Sequence, residues 1–390
     1  MPRQFEEELD VLKQQSLLRR LREVESQPGT VMSYAGRELV NFSSNDYLGL
    51  AGEPFLKEAA KRAIDEYGVG ATASRLVCGT LSPHLALEQK LAEFKRTEAA
   101  LSFSSGYATA LGTLNALAGK EDVIILDKLA HASLIDGARL SGAVIRVFPH
   151  NQVEKLESHL EWARQEHPKA RVVVVTESVF SMDGDRAPLA EIVEAKDRFG
   201  ALLMLDEAHA VGVVGANGRG LSERLGLAGR IDIQMGTLSK ALGVSGGYVC
   251  GSRALIDWLI NRARSFVYST APPAALAAAA TASVEFMMSA EGEERRRRLW
   301  ENLKVLAAGL PPGLTPEKLQ SAIVPVMLGE ETAALEASKL FFERGFFIPA
   351  IRYPTVARGT ARLRLTLSAA HKTEEIRAVT EALWEIISGK

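Results

Sequence analysis

The apolar run 202–205, Leu-Leu-Met-Leu, stops abruptly at Asp206, and Glu207, Ala208 and His209 follow. In an open α/β sheet, ligands gather at the carboxyl ends of the strands, so an acid in that place faces a site. The same pattern serves Mg²⁺-binding nucleotide enzymes, and an acid there can also simply cap the next helix. The next strand-like run, 231–236, leads into Thr237-Leu238-Ser239-Lys240 and a flexible stretch, Gly243-Val244-Ser245-Gly246-Gly247. A lysine amine in a confined, partly dry site loses its proton readily enough to condense with an aldehyde and to exchange protons afterwards. Most lysines are surface residues with no such role. The pair is more specific than either member: an amine that holds an aldehyde as an imine, and an acid that keeps a ring nitrogen protonated, are the two protein anchors of pyridoxal 5'-phosphate. No Gly-x-x-x-x-Gly-Lys-Ser/Thr loop is present to favour the nucleotide alternative.

Such a cofactor brings a phosphate. Ser104-Ser105-Gly106-Tyr107 lies where a strand pattern gives way to a helix, and backbone N–H groups at a helix N-terminus bind a phosphate dianion without a metal. A plain helix cap is the alternative. His131 follows the run 122–126, so its imidazole can lie on the pyridine face, while His209 can donate to the phenolic oxygen. Isolated histidines are more often structural, but these two follow apolar strands at one expected sheet edge. Near the end of the chain, Arg362-Leu363-Arg364-Leu365-Thr366 alternates charge with apolar residues. A guanidinium there can grip a carboxylate through two parallel hydrogen bonds, and the alternative is a solvated edge strand protected by its charges.

The elements that must position these residues read as α/β. Between 98 and 251, strand-like runs at 99–103, 122–126, 144–148, 172–177, 202–206, 231–236 and 248–250 alternate with helical patterns, which predicts a mostly parallel sheet covered by helices. Leu9, Leu12, Leu17, Leu18 and Leu21 recur at helical spacing and predict an amphipathic helix over 5–24, ended by Gln27-Pro28-Gly29. Short strands are expected at 30–34 and 38–42, and the Gly-rich tract 68–79 reads as a functional loop. An Ala-rich helix is expected at 273–288, buried rather than membrane-spanning, and the charge run 291–298 reads as a solvated helix face. A smaller α+β unit follows, with strands near 323–327, 346–348 and 362–366 and a last helix over 373–388. The expected division is therefore 1–45, a helix and short strands; 46–290, a large cofactor-binding domain; and 291–390, a small C-terminal domain.

Composition narrows the partners. The chain has 390 residues, 47% of them hydrophobic and 24% charged, with a net charge of −2, so neither a nucleic-acid nor an anionic-membrane partner is expected. Only Cys78 and Cys250 occur, without metal-ligand spacing, which argues against a disulfide framework and a zinc site. The acidic start, MPRQFEEELD, has no signal-peptide core, so a reducing cytoplasm is the expected setting.

Several stretches carry a resemblance. Asn41 to Leu50 (NFSSNDYLGL), His131 to Leu134, Ser178 to Asp185 (SVFSMDGD), Asp206 to His209, Thr237 to Lys240 and Tyr268 to Thr270 are similar to the α-oxoamine synthase family of fold-type I pyridoxal-phosphate enzymes, across nearly the whole chain. The resemblance implies a mostly parallel sheet in a large domain, a smaller C-terminal α+β domain, and C-acyltransferase activity with Lys240, Asp206, His131 and His209 as the catalytic set. It implies that Gly106 and Tyr107 bind phosphate through their amides, with Thr237, and that Ser181 and His209 address the phenolic oxygen. Ser269 and Thr270 would reach the phosphate of a neighbouring subunit, giving a homodimer with shared active sites. Arg19 would contact the acyl substrate, Thr355 the substrate, Arg364 the amino-acid carboxylate, and Asn45 and His131 complete the substrate residues. Within the family, the wording of 41–50 and 353–364 points to the member that joins L-alanine to a pimeloyl thioester, of coenzyme A or a carrier protein. A glycine-using acyltransferase shares the lysine, the aspartate and both histidines and is the rival. Two positions depart from the family pattern: Ser239 stands where Gly is usual, and Ala110 where Asn is common.

Overall fold

The structure is a computed structural model that describes residues 2–311, 314 and 319–387. Its strands, in chain order, are β1 (Val31–Tyr34), β2 (Arg37–Asn41), β3 (Ala99–Phe103), β4 (Val123–Asp127), β5 (Val144–Phe148), β6 (Val172–Glu177), β7 (Leu202–Asp206), β8 (Ile233–Thr237), β9 (Gly247–Gly251), β10 (Ile323–Gly329), β11 (Phe346–Phe347), β12 (Ala350–Ile351) and β13 (Ala361–Thr366). The described residues fall into two compact units, one within 46–181 and 185–297, the other within 1–45, 182–184 and 298–390.

The first unit is built on a seven-stranded sheet of order β3-β9-β8-β7-β6-β4-β5. Strands β4 to β8 run parallel, whereas β9 is antiparallel to both β8 and β3. The chemistry of the connections explains the exception: a parallel return needs a crossover of a dozen or more residues, and 238–246 is too short for one. The sheet is therefore mostly parallel, as the alternation of patterns implied. Strands such as Val-Val-Val-Val-Thr-Glu and Leu-Leu-Met-Leu-Asp are apolar almost throughout because helices cover both faces. Val173, Val175, Met204 and Val249 are fully buried, in one cluster with Leu114 and Leu134 of the covering helices. The chain leaves β4 to form β5 on one side and returns to form β6 on the other, so strand order reverses about β4. A crevice opens at the carboxyl ends at such a reversal. The Ala-rich helix Ala274–Met287 packs against the helices Pro54–Tyr67 and Ser82–Lys95, its alanines letting the backbones approach.

One expectation fails here. The charge run 291–298 is not a wholly solvated face: Arg296 is only 6% exposed and donates to the carbonyls of Met287 and Ala216. Gly218 makes the room, since a Cβ there would come within 2.9 Å of the Arg296 Cδ. Arg295 pairs with Glu53 and donates to the Leu48 carbonyl.

The second unit carries two three-stranded sheets, β1-β2-β11 and β10-β13-β12. Strand β13 is the central strand of its sheet and all six of its residues are buried, so the solvated-edge alternative for Arg362 and Arg364 does not hold. The N-terminal helix spans Pro2–Gln14 rather than 5–24. It ends because Ser16 takes a left-handed backbone, φ 56°, after which Leu17 turns into the core while Leu21 is fully exposed. The short β12 was not foreseen. The last helix is Thr373–Ile387, and its last expected residue, Ser388, lies outside the described residues. No helix among the described residues is long and apolar enough to cross a membrane.

Candidate active site

Three neighbouring strands end in acids: Asp127 on β4, Glu177 on β6 and Asp206 on β7. Asp206 lies in register with Glu177 on one side and Met235 of β8 on the other. It is 5% exposed, and one carboxylate oxygen accepts from the Ala208 N–H at 2.9 Å. Burial pushes its pKa up, while the nearby Lys240 ammonium, then the Ala208 N–H and His131, pull it back toward the charged form. The amine and the acid therefore share one site, as their positions at the ends of adjacent strands require. Lys240 Nζ lies 2.8 Å from His209 Nε2, and His209 Nδ1 lies 2.6 Å from the Tyr47 hydroxyl.

His131 caps the helix Ala132–Ser141, with Nδ1 accepting from the Ser133 N–H at 3.2 Å and 2.8 Å from the Ser133 hydroxyl. An amide N–H only donates, so the neutral ring carries its hydrogen on Nε2. Desolvation lowers the pKa of His131; the charge of Asp206 raises it and that of Lys240 lowers it.

The helix Gly106–Leu117 begins beside this cluster, capped by Ser105, whose hydroxyl accepts from the Ala108 N–H at 3.0 Å. A Cβ on Gly106 would stand 3.5 Å from the Thr237 side chain, and one on Gly247 would stand 2.7 Å from the Gly106 backbone. The helix N-terminus thus closes on the start of β9 because Gly247 lacks a side chain, whereas a Cβ on Gly106 would make only ordinary contact with Thr237. Thr237 Oγ1 donates to the Gly246 carbonyl at 2.9 Å and lies 2.7 Å from the Ser239 hydroxyl. Ser239, the departure from the family pattern, consequently adds a hydroxyl beside this helix end. Ala110, the other departure, is fully buried on the same helix. Tyr107 is half exposed, its hydroxyl donating to Asp136 at 2.5 Å. Ser181 sits in the turn after β6, and the segment after helix Arg264–Val267 carries Ser269 and Thr270, with Thr270 bridged to Ser74.

The remaining expected residues lie in the other unit, in two pairs. Arg19 donates to the Thr355 hydroxyl at 2.9 Å, and Arg364 donates to the Asn45 side-chain oxygen at 3.2 Å. Arg352 belongs with the first pair: burial lowers its pKa and the charges of Arg19 and Arg22 lower it further.

Four residues of the first unit had no role in the sequence reading. Tyr47 and Glu177 touch the cluster, Glu177 by accepting from the backbone N–H of His131. Glu207 is fully buried, paired with Lys95 and accepting from the Ser222 N–H and hydroxyl, which fixes the residue next to Asp206. His150 is held between Asp127 and Asp185 at 3.0 and 2.9 Å. The repeated strand-then-acid pattern could have flagged Glu177; nothing local marks Tyr47. An amine against an imidazole, a buried carboxylate within reach of the amine's charge, and hydroxyls at a helix N-terminus together suit a flat, aldehyde-bearing, phosphorylated ring.

Residues 37–383 match the family model described as aminotransferase class I and II. The chain belongs to that family. Among members, it is 45% identical to the 8-amino-7-oxononanoate synthase of Thermoanaerobacter pseudethanolicus, over 98% of this chain and 96% of that protein. It is 46% identical to the 8-amino-7-oxononanoate synthase of Geobacter sulfurreducens, over 99% and 98%. Among solved structures of the family, serine palmitoyltransferase from S. paucimobilis, carrying a bound PLP-myriocin aldimine, superposes with a TM-score of 0.92 at 32% identity, covering 99% of this chain and 97% of that one.

Proposed function

We propose that this chain is an 8-amino-7-oxononanoate synthase, a pyridoxal-phosphate-dependent C-acyltransferase. It condenses L-alanine with a pimeloyl thioester of coenzyme A or a carrier protein, releasing CO₂ and the free thiol, in biotin biosynthesis. The observation that carries the reading is Lys240 held 2.8 Å from His209 beside the buried Asp206, in a chain 45% identical to a synthase of that name over nearly its whole length.

Pyridoxal phosphate, when bound, supplies a cationic ring that accepts the electron pair left when a bond at the substrate Cα is broken. Lys240 holds the cofactor aldehyde and, once displaced by alanine, takes the Cα proton and later returns one. Asp206 keeps the ring nitrogen protonated, a task suited to a carboxylate that the sheet holds out of water. His131 covers the ring face and borders the substrate, while Ser181 and His209 donate to the phenolic oxygen. The Gly106 and Tyr107 amides and the Thr237 hydroxyl bind the phosphate, aided by Ser269 and Thr270 of the partner chain in a homodimer. Arg364, with Asn45, holds the alanine carboxylate, and Arg19, with Thr355, holds the acyl substrate. The working division is 46–290 for the cofactor, with 1–45 and 291–390 flanking it in a cytoplasmic enzyme.

A serine- or glycine-using acyltransferase is the second reading, favoured by the match to serine palmitoyltransferase at TM-score 0.92. CO₂ release should be measured with pimeloyl-, acetyl- and palmitoyl-CoA against alanine, glycine and serine. Alanine with pimeloyl-CoA is expected to lead by tenfold or more, roughly the discrimination a pocket gains from a methyl group or two. Equal or faster release with glycine and acetyl-CoA, or with serine and palmitoyl-CoA, would overturn the assignment.

A further inference from the structure

Tyr47 lies in a tight turn in which the Asp46 carboxylate accepts from the Leu50 and Ala51 N–H groups at 2.8 and 3.1 Å. That turn abuts the loop after Lys240: a Cβ on Gly243 would come within 2.6 Å of the Ala51 nitrogen. The turn that carries His209 is seated on the same loop, since a Cβ on Gly212 would stand 2.4 Å from the Ala241 Cβ. Both glycines have positive φ, so these approaches are available to no other residue. Tyr47, His209 and Lys240 are thereby fixed in line, with Tyr47 Oη 2.6 Å from Nδ1 and Lys240 Nζ 2.8 Å from Nε2. Tyr47 is fully buried and His209 nearly so.

We propose that Tyr47 is a positioning residue that acts through His209, serving as a two-way hydrogen-bond partner that lets the imidazole change tautomer when Lys240 changes state. The proposal rests on the cofactor reading given above. An ammonium only donates, so beside a Lys240 that carries no cofactor the neutral ring must accept at Nε2, carry its hydrogen on Nδ1 and donate to the Tyr47 oxygen. Once the lysine nitrogen is engaged by the aldehyde, Nε2 is needed as a donor to the phenolic oxygen. Nδ1 must then accept, and the Tyr47 hydroxyl turns to donate. A carboxylate in this place would serve only the first state and an amide N–H only the second; a hydroxyl serves both. A phenylalanine would leave Nδ1 buried without this partner in either state.

The test uses the full chain with ¹⁵N-labelled histidine, cofactor-loaded and cofactor-free, with His209 assigned by its loss in His209→Asn. In the wild type, loading should exchange the protonated and unprotonated ¹⁵N signals of His209 between Nδ1 and Nε2; in Tyr47→Phe, where Lys240 and the phenolic oxygen still act on Nε2 but Nδ1 has lost its partner, the exchange should be incomplete. Turnover in Tyr47→Phe should fall about 10- to 100-fold, the usual cost of losing a residue that orients a working imidazole, with KM for both substrates within about twofold. In a His209→Asn background the same substitution should change kcat by less than about twofold, because a residue acting through His209 has nothing left to act on. No signal exchange in the wild type on loading, unchanged exchange in Tyr47→Phe, or losses that multiply in the double variant would each overturn the proposal. The wild-type spectrum needs no variant to fold. A wild type that shows the exchange but does not condense alanine with pimeloyl-CoA would sink the function reading and leave the role of Tyr47 standing.

Discussion

At the scale of single residues, the site contains a conflict that decides which acid is charged. Glu177 and Asp206 lie in register on adjacent strands, 2% and 5% exposed, and two carboxylates cannot both ionise cheaply in so dry a place. Desolvation first, and then the charge of Asp206, push the Glu177 pKa well above the ordinary carboxylate range. Burial raises the Asp206 pKa too, but there the Lys240 ammonium, the Ala208 N–H and His131 oppose it and favour the charged form. Glu177 therefore holds the proton and Asp206 the charge. Glu177→Gln, which mimics a protonated acid, is expected to keep turnover within about threefold, whereas Asp206→Asn should cut kcat by about 10² to 10³, the scale of a lost preorganised charge. Steady-state kinetics of the two variants decide it: a Glu177→Gln loss as large as that of Asp206→Asn would put the charge at 177. Lys240→Ala should abolish turnover and the visible absorbance of the bound cofactor together, and retention of both would refute the assignment of the amine.

At the scale of elements, the decisive contact is between the start of helix Gly106–Leu117 and the start of β9. A Cβ on Gly247 would meet the Gly106 Cα and nitrogen at 2.7 Å and the Thr109 hydroxyl at 2.4 Å. Neither the strand nor the helix can yield without moving the amides proposed to hold the phosphate. Gly247→Ala is expected to weaken cofactor binding tenfold or more, since displacements of an ångström in a positioned site commonly cost about that or worse. Gly229→Ala, where a Cβ would meet nothing within 4 Å, is the control expected to bind normally. Fluorescence titration of cofactor into apo-protein checks both, and equal affinities would show that the helix end is not the phosphate cradle. This level is also where the sequence was most legible. Apolar runs announced β4, β6 and β7, because strands buried on both faces leave no alternation to misread. The N-terminal helix was overrun because Leu17 and Leu21 keep helical spacing past the break at Ser16, and a single left-handed residue leaves no periodic trace. β12, two residues long, carries no pattern at all. Tyr47 and Glu177 could be read as residues but not as members of the site, since their roles come from burial and from register across strands, which one chain of letters does not encode.

For the whole molecule, two histidines, His371 buried and His150 partly so, set opposite limbs of the pH dependence of stability, one in each unit. His371 is 2% exposed, stacks on Phe42, accepts at Nδ1 from the Ser368 N–H and donates from Nε2 to the Asn41 carbonyl. Burial lowers its pKa from 6.5 to about 4. The unfolded chain therefore binds a proton there that the native state refuses, and stability is lost as pH falls from about 6.5 toward 4. His150 is the reverse case: desolvation lowers its pKa, but its hydrogen bonds to Asp127 and Asp185 outweigh that and raise it to about 10. The native state keeps a proton the unfolded chain gives up, so this contribution is complete below about 6.5 and is lost as pH rises toward 10. Each single-proton difference changes the unfolding free energy by up to about 1.4 kcal/mol per pH unit inside its window. His84, whose pKa burial also lowers, acts with His371, while the raised carboxyls of Asp46, Glu177 and Asp206 act against it. The informative quantity is therefore the difference between variant and wild type. His371→Asn should flatten the acid limb and leave the alkaline one unchanged, and His150→Gln should do the opposite, measured by urea unfolding at intervals from pH 4.5 to 9.5. The crossed pattern follows from the two partner sets alone, a neutral ring between two backbone groups and a charged ring between two carboxylates. Variant curves running parallel to the wild type across the whole range would mean that neither ring has the protonation state its neighbours impose.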